Sequence, residues 1–161
     1  MSSVGGRPAT EGPQRLQVRR AGERFETVAP GIRTRHSFSF GRHYDPGNTA
    51  HALLVAHNDD RVRPGHGYPR HPHQDLEILT WVLSGALRHE DSQGTGGLVA
   101  PGTLQRLSAG SGIEHTEWND AATGSEVRFV QMWVRPARAA CRRRTPRPTC
   151  PPVTWCCSPP A

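Results

Sequence analysis

The sequence predicts an all-β fold, a jelly-roll-like double sheet. Three observations lead to the double sheet. Short apolar or alternating runs recur at intervals of roughly 8–12 residues, the spacing of a sandwich or barrel. Glycine and proline punctuate them, as in Ser84-Gly85, Gly96-Gly97 and Pro101-Gly102. No segment carries a helical apolar period of useful length. At 161 residues the chain suits one domain with a real core and is too short for two ordinary ones.

Taken in order, residues 1–14 are rich in Gly, Ser and Pro and are expected to form a disordered lead. A single domain is expected over residues 15–136. Its first apolar run is Leu16-Gln17-Val18, and His36-Ser37-Phe38-Ser39-Phe40 alternates at period two. Ala52 to Ala56 reads as a buried strand closed by Asn58-Asp59-Asp60. Glu77 to Leu83 is rich in Ile, Thr, Trp and Val, and Ser84-Gly85 turns it into Ala86 to Glu90. Leu98 to Ala100, Gln105 to Ser108, Glu114 to Trp118 and Val127 to Val134 complete the strand set.

Beyond Val134 the composition breaks. Residues 136–161 hold seven prolines, five arginines and all four cysteines, with no acid and no Leu, Ile or Phe. Such a segment buries too little apolar area to offset chain entropy, so residues 137–161 are expected to be a disordered tail. The same composition is what a shift of reading frame near residues 136–141 would yield. The formal charge of +6 is largely a property of this tail, because residues 1–136 hold 15 arginines against all 14 acids. The folded part is therefore nearly neutral, whereas direct nucleic-acid binding would need a basic face on it. Cys141, Cys150, Cys156 and Cys157 lie outside the expected core, and their spacing has no C-x2-C pair for a zinc knuckle. With no apolar stretch near 20 residues and no apolar N-terminal segment, neither a membrane span nor a secretory signal is expected, and the default location is cytoplasmic.

The chemistry concentrates in two short segments. His71-Pro72-His73 and His115-Thr116-Glu117 each place two ligand-type residues at i and i+2, on one face of a strand. Brought together on facing strands, they would aim three imidazoles and a carboxylate at one point. That is a nitrogen and oxygen donor set without sulfur, suited to iron(II), manganese, nickel, copper or zinc, with positions left open for substrate. Glu77 is a rival carboxylate, since a regular strand would point it to the same face as His71 and His73. Pro72 lacks the N–H of a central strand, which calls for an edge or bulged strand. His36, His43, His51, His57, His66 and His89 read as polar-face or hydrogen-bonded residues. Trp81, Trp118 and Trp133 read as packing, and Arg142-Arg143-Arg144 as a solvated charge run. No nucleophile elbow, phosphate loop or RNA-binding aromatic pattern is present.

Longer segments are more specific. Gly65, His71, His73 and Glu77, followed by Gly110, Gly112 and His115, reproduce much of the two-motif pattern of the cupin superfamily. Arg35 to Gly41, Tyr44-Asp45-Pro46, Pro69 to Ile78, Leu83 to Ser92, Pro101 to Gln105 and Ser108 to Glu117 closely resemble the pirin family. The resemblance runs from about Leu16 to Pro136 and stops at the compositional break. It implies an N-terminal cupin barrel binding one divalent transition metal, usually iron(II), on His71, His73, His115 and Glu117. It favours Glu117 over Glu77 as the carboxylate. Some pirins have quercetin 2,3-dioxygenase activity, which implies a small aromatic, flavonol-like substrate and dioxygen, with Glu117 also taking the substrate hydroxyl proton. A eukaryotic member is an iron-dependent transcriptional co-regulator, which implies as alternative a non-catalytic metal-dependent module with a protein partner. Pirins carry two cupin domains. Here the Arg/Pro/Cys segment stands where the second would begin, so a truncated or frame-shifted product is a third expectation.

Overall fold

The computed structural model describes residues 18–136 and the backbone of Val153–Cys157. The expected N-terminal lead, Leu16, Gln17, Cys141, Cys150 and most of the expected tail lie outside the described residues. The strands are β1 (Phe25–Ala29), β2 (Ile32–His36), β3 (Leu54–Val62), β4 (His66–His73), β5 (Glu77–Ser84), β6 (Leu87–Asp91), β7 (Gly96–Val99), β8 (Thr103–Ser108), β9 (Ile113–Asn119), β10 (Val127–Val134) and β11 (Val153–Cys157). They form two antiparallel sheets. The larger runs β1-β2-β3-β10-β5-β8-β11 and the smaller β4-β9-β6-β7. Among the described residues, no helix is long and apolar enough to cross a membrane.

The inward faces sort themselves into layers. One apolar cluster joins Val62, Val82, Leu87, Val99, Val127 and Phe129, with contributions from both sheets, so the sheets pack face to face. A second joins Ile78, Leu107, Ala109 and Ile113. Between them, period-two alternation places polar residues inward: Thr80 lies between Ile78 and Val82, and Gln131 lies between Phe129 and Trp133. His115 and Glu117 follow Ile113 on β9 in the same way. The barrel is thus apolar at two levels and polar at the level of the histidines.

Several boundaries differ from the sequence expectation. The acidic run Asn58-Asp59-Asp60 does not close its strand, because β3 continues to Val62. The reason is pairing: Asp59 accepts from Arg128 and Asp60 is hydrogen-bonded by Thr34 and Tyr68. The alternating run from His36 to Phe40 is not a strand, since β2 ends at His36 and Phe40 makes only an isolated bridge to His43. Within the stretch expected to be disordered, Val153–Cys157 pair with β8 as β11. That run holds Val, Thr and Trp, and β8 offers it an unpaired edge. The Ser84-Gly85 turn forms as expected. Gly85 adopts φ +75 and its Cα position lies against β10, where an added Cβ would sit 2.8 Å from Val127 Cα.

Candidate metal centre

β4 and β9 are hydrogen-bonded neighbours in the smaller sheet, not strands facing across the barrel. His71 is directly opposite His115, and Tyr68 is opposite Glu117. Two residues separate Tyr68 from His71, but only one separates His115 from Glu117. The difference is a bulge at Pro69 and Arg70, both of which are exposed. β4 is also an edge strand, so Pro72 costs no central ladder bond. The bulge does a second job. His71 Nδ1 donates to the Pro69 carbonyl at 2.7 Å, which leaves Nε2 as the ring's lone-pair nitrogen.

His71, His73 and His115 converge, each offering a nitrogen such that the three lie within 4.8 Å of one another. Their ring centroids are 4.4 to 5.0 Å apart. His73 Nε2 and His115 Nε2 are buried without a hydrogen-bond partner. Burial, with a smaller push from neighbouring His71, takes the His73 pKa down to about 4. Burial and the rings of His71, His89 and His73 push His115 down to about 2. Both rings are therefore neutral near pH 7. Buried neutral imidazoles with unused lone pairs are the ligand form, and the donor set fits a transition metal.

Glu117 is fully buried beside this cluster. It forms an overlapping group with His115 and His89, whose ligand atoms also lie within 4.8 Å of one another. Burial pushes its carboxyl up to about 7, against the lowering effect of a hydrogen bond from Gln131 and with a further rise from Asp60. Gln131 Nε2 donates to Glu117 Oε1 at 2.7 Å and to Thr80 Oγ1 at 3.2 Å. Trp133 Nε1, which can only donate, reaches Gln131 Oε1 at 2.9 Å. The indole thereby fixes which end of the amide faces Glu117. Trp133 also packs edge-on against His73, with centroids 4.8 Å apart.

Glu77 does not join either group. The strand breaks at Gln74 to Leu76, where Asp75 takes φ 52, and Glu77 begins β5 in the other sheet. There it accepts from Ser108 Oγ at 2.6 Å and lies 3.8 Å from the Arg106 guanidinium. The even spacing that suggested a shared face assumed a continuous strand. His89 and Gln131 carry more of the site than the sequence reading allowed. The signal for His89 was its i, i+2 relation to Asp91 just after a turn. The signal for Gln131 was a polar residue at an inward position between Phe129 and Trp133.

A cleft of about 370 Å³ opens beside His73, lined by Pro72, Gln74, Ser92, Ile113 and Glu114. Its size falls in the ~300–1,000 Å³ range of small-molecule sites. A larger cleft of about 600 Å³ runs along β1 to β3 among Arg33, Arg35, Arg61 and Arg63. None of the candidate ligands lines it, whereas His73 lines the smaller one.

A sequence model of the pirin family matches residues 16–134. The Mycobacterium tuberculosis protein Rv0181c, whose name gives quercetin 2,3-dioxygenase as a candidate activity, is 56% identical over 121 residues, 75% of this chain and 49% of its own. An Escherichia coli protein named quercetin 2,3-dioxygenase is 39% identical over 121 residues, 75% of this chain and 52% of its own. The crystal structure of the bacterial pirin YhhW from Escherichia coli in complex with nickel(II) superposes with a TM-score of 0.74 at 35% identity. That match covers 85% of this chain and 56% of YhhW. The chain spans about half the length of the curated relatives it matches.

Proposed function

The chain belongs to the pirin family, and on that premise we propose a metal-dependent dioxygenase of the quercetin 2,3-dioxygenase type. Its metal is one divalent transition ion, iron(II), held by His71, His73, His115 and Glu117. The observation that carries the proposal is the convergence of three imidazoles, two of which keep buried nitrogens without partners. When bound, the metal would supply open coordination positions at which substrate and dioxygen meet. The other roles belong to the chain. The Pro69 carbonyl holds His71 in the ligand tautomer. Trp133 braces the His73 ring. The cleft beside His73 takes a flat aromatic substrate, with Pro72 and Ile113 on its wall. Glu117, whose carboxyl burial raises to about 7, would take the flavonol hydroxyl proton. Gln131 keeps that carboxyl oriented meanwhile. The proposed location is the cytoplasm.

The test is quercetin loss with stoichiometric oxygen uptake by the iron(II)-loaded protein. Turnover that disappears in His71→Ala supports the reading. Metal binding without turnover above that control supports the non-catalytic, metal-dependent alternative, in which a protein partner reads the loaded state.

A further inference from the structure

Behind His115 lies a second line of buried polar groups. His89 and Asp91 alternate on β6, so both side chains share its inward face, and both are fully buried. His89 Nδ1 is 3.3 Å from His115 Nδ1 across the β6–β9 pairing. His89 Nε2 is 3.7 Å from Asp91 Oδ2, and neither atom has a hydrogen-bond partner. The other carboxylate oxygen, Asp91 Oδ1, accepts from the backbone N–H groups of Gln93 at 2.8 Å and Thr95 at 3.0 Å. Those two bonds anchor the carboxylate and leave Oδ2 turned to His89.

We propose that Asp91 and His89 are positioning residues that set the tautomer of His115, so that its Nε2 is a lone pair before any metal arrives. This inference rests on the reading of His115 as a ligand. Both rings are buried, where a neutral imidazole with one N–H is favoured over the charged form. The two facing Nδ1 atoms accommodate only one proton between them. Asp91 can only accept, and even at 3.7 Å its charge favours an N–H over a lone pair at His89 Nε2. His89 Nδ1 is then an acceptor, and His115 Nδ1 must donate to it. The proton is thereby kept off His115 Nε2, the atom that joins the nitrogens of His71 and His73. The opposite assignment would put a hydrogen on that atom and block it. His71 is set by the same logic one strand away, with the Pro69 carbonyl as the acceptor.

The rival arrangement makes His89 itself a ligand, since it also groups with His115 and Glu117. Nitrogen NMR of the histidine rings separates the two. In the metal-free wild type, His115 is expected as the Nδ1–H tautomer and His89 as Nε2–H. On loading with zinc, His115 Nε2 takes a metal-bound shift and the His89 nitrogens do not. Asp91→Asn provides the perturbation. The backbone donors still hold its Oδ1, so an NH2 group replaces Oδ2 in front of His89. Both tautomers then reverse, and zinc affinity falls about 10–100-fold. A metal-free wild type with His115 protonated at Nε2 overturns the proposal and needs no variant to fold. So does a folded Asp91→Asn protein with unchanged tautomers and affinity, or a zinc-bound shift at His89. A wild type with the expected tautomers that binds no zinc defeats the metal-site reading instead, and the relay stands on the metal-free spectrum.

Discussion

Asp60→Asn should make the protein more stable at neutral pH. Asp60 is 3% exposed, and its Oδ1 accepts from the hydroxyls of Thr34 and Tyr68, the latter at 2.6 Å. Those bonds favour the charged form, but desolvation outweighs them, and the nearby Asp59 adds to the rise. The pKa climbs from 3.8 to about 6. A carboxyl whose folded pKa lies above its unfolded one stabilises the fold below about pH 4 and loses that stabilisation as pH rises past 6. The difference of roughly two pH units corresponds to about 3 kcal/mol at 1.36 kcal/mol per unit. An asparagine keeps an acceptor for both hydroxyls and removes the titration. Urea unfolding followed by circular dichroism at intervals from pH 4 to 8 measures the effect. The variant and wild type should match at pH 4, and the variant should gain up to about 3 kcal/mol by pH 7. Parallel profiles, or a variant weaker at pH 7 than at pH 4 relative to wild type, would refute the reasoning. They would mean that the buried carboxylate is better compensated than its two hydroxyl partners allow.

Arg128→Gln removes a two-point contact to Asp59 at 2.9 and 2.7 Å. Because the arginine is partly exposed, the loss should be only about 1 kcal/mol. Asp59 sits below its ordinary carboxylate range because of Arg128, so this loss should be present at pH 7 and fade only as the pH falls below 3.8 through the lowered carboxyl, in the same unfolding assay extended to acid. Gln131→Leu deprives Glu117 of its donor and should weaken metal binding about 10-fold by titration, with the histidines untouched. Glu77→Gln should leave metal content per chain unchanged, whereas Glu117→Gln should lower it, as elemental analysis of the purified proteins would read.

Much of this architecture is legible in local pattern. The strands Glu77 to Ser84 and Val127 to Val134 announce themselves through β-branched and aromatic alternation. Pro72 forced the expectation of an edge or bulged strand, and β4 is both. The failures share a cause, which is that strand continuity is a tertiary matter. Asn58-Asp59-Asp60 looked like a terminator until Arg128, Thr34 and Tyr68 supplied partners from strands distant in sequence. On spacing Glu77 rivalled Glu117, but Asp75 breaks the strand and Glu77 begins a strand of the other sheet. His89 could not be distinguished from a polar-face histidine, because only the β6–β9 pairing brings it to His115. Spacing reveals which residues share a face; it does not reveal which face lies behind it.

The central claim is that His71, His73 and His115, with Glu117, hold one metal ion. Anaerobic titration of the metal-free protein with iron(II) tests it most directly, run in parallel on the wild type, His73→Ala and His115→Ala. The wild type should saturate at one ion per chain, with no saturable binding in either folded variant at the same concentrations. A wild type that takes up no iron, or variants that still bind one equivalent as tightly, would contradict it.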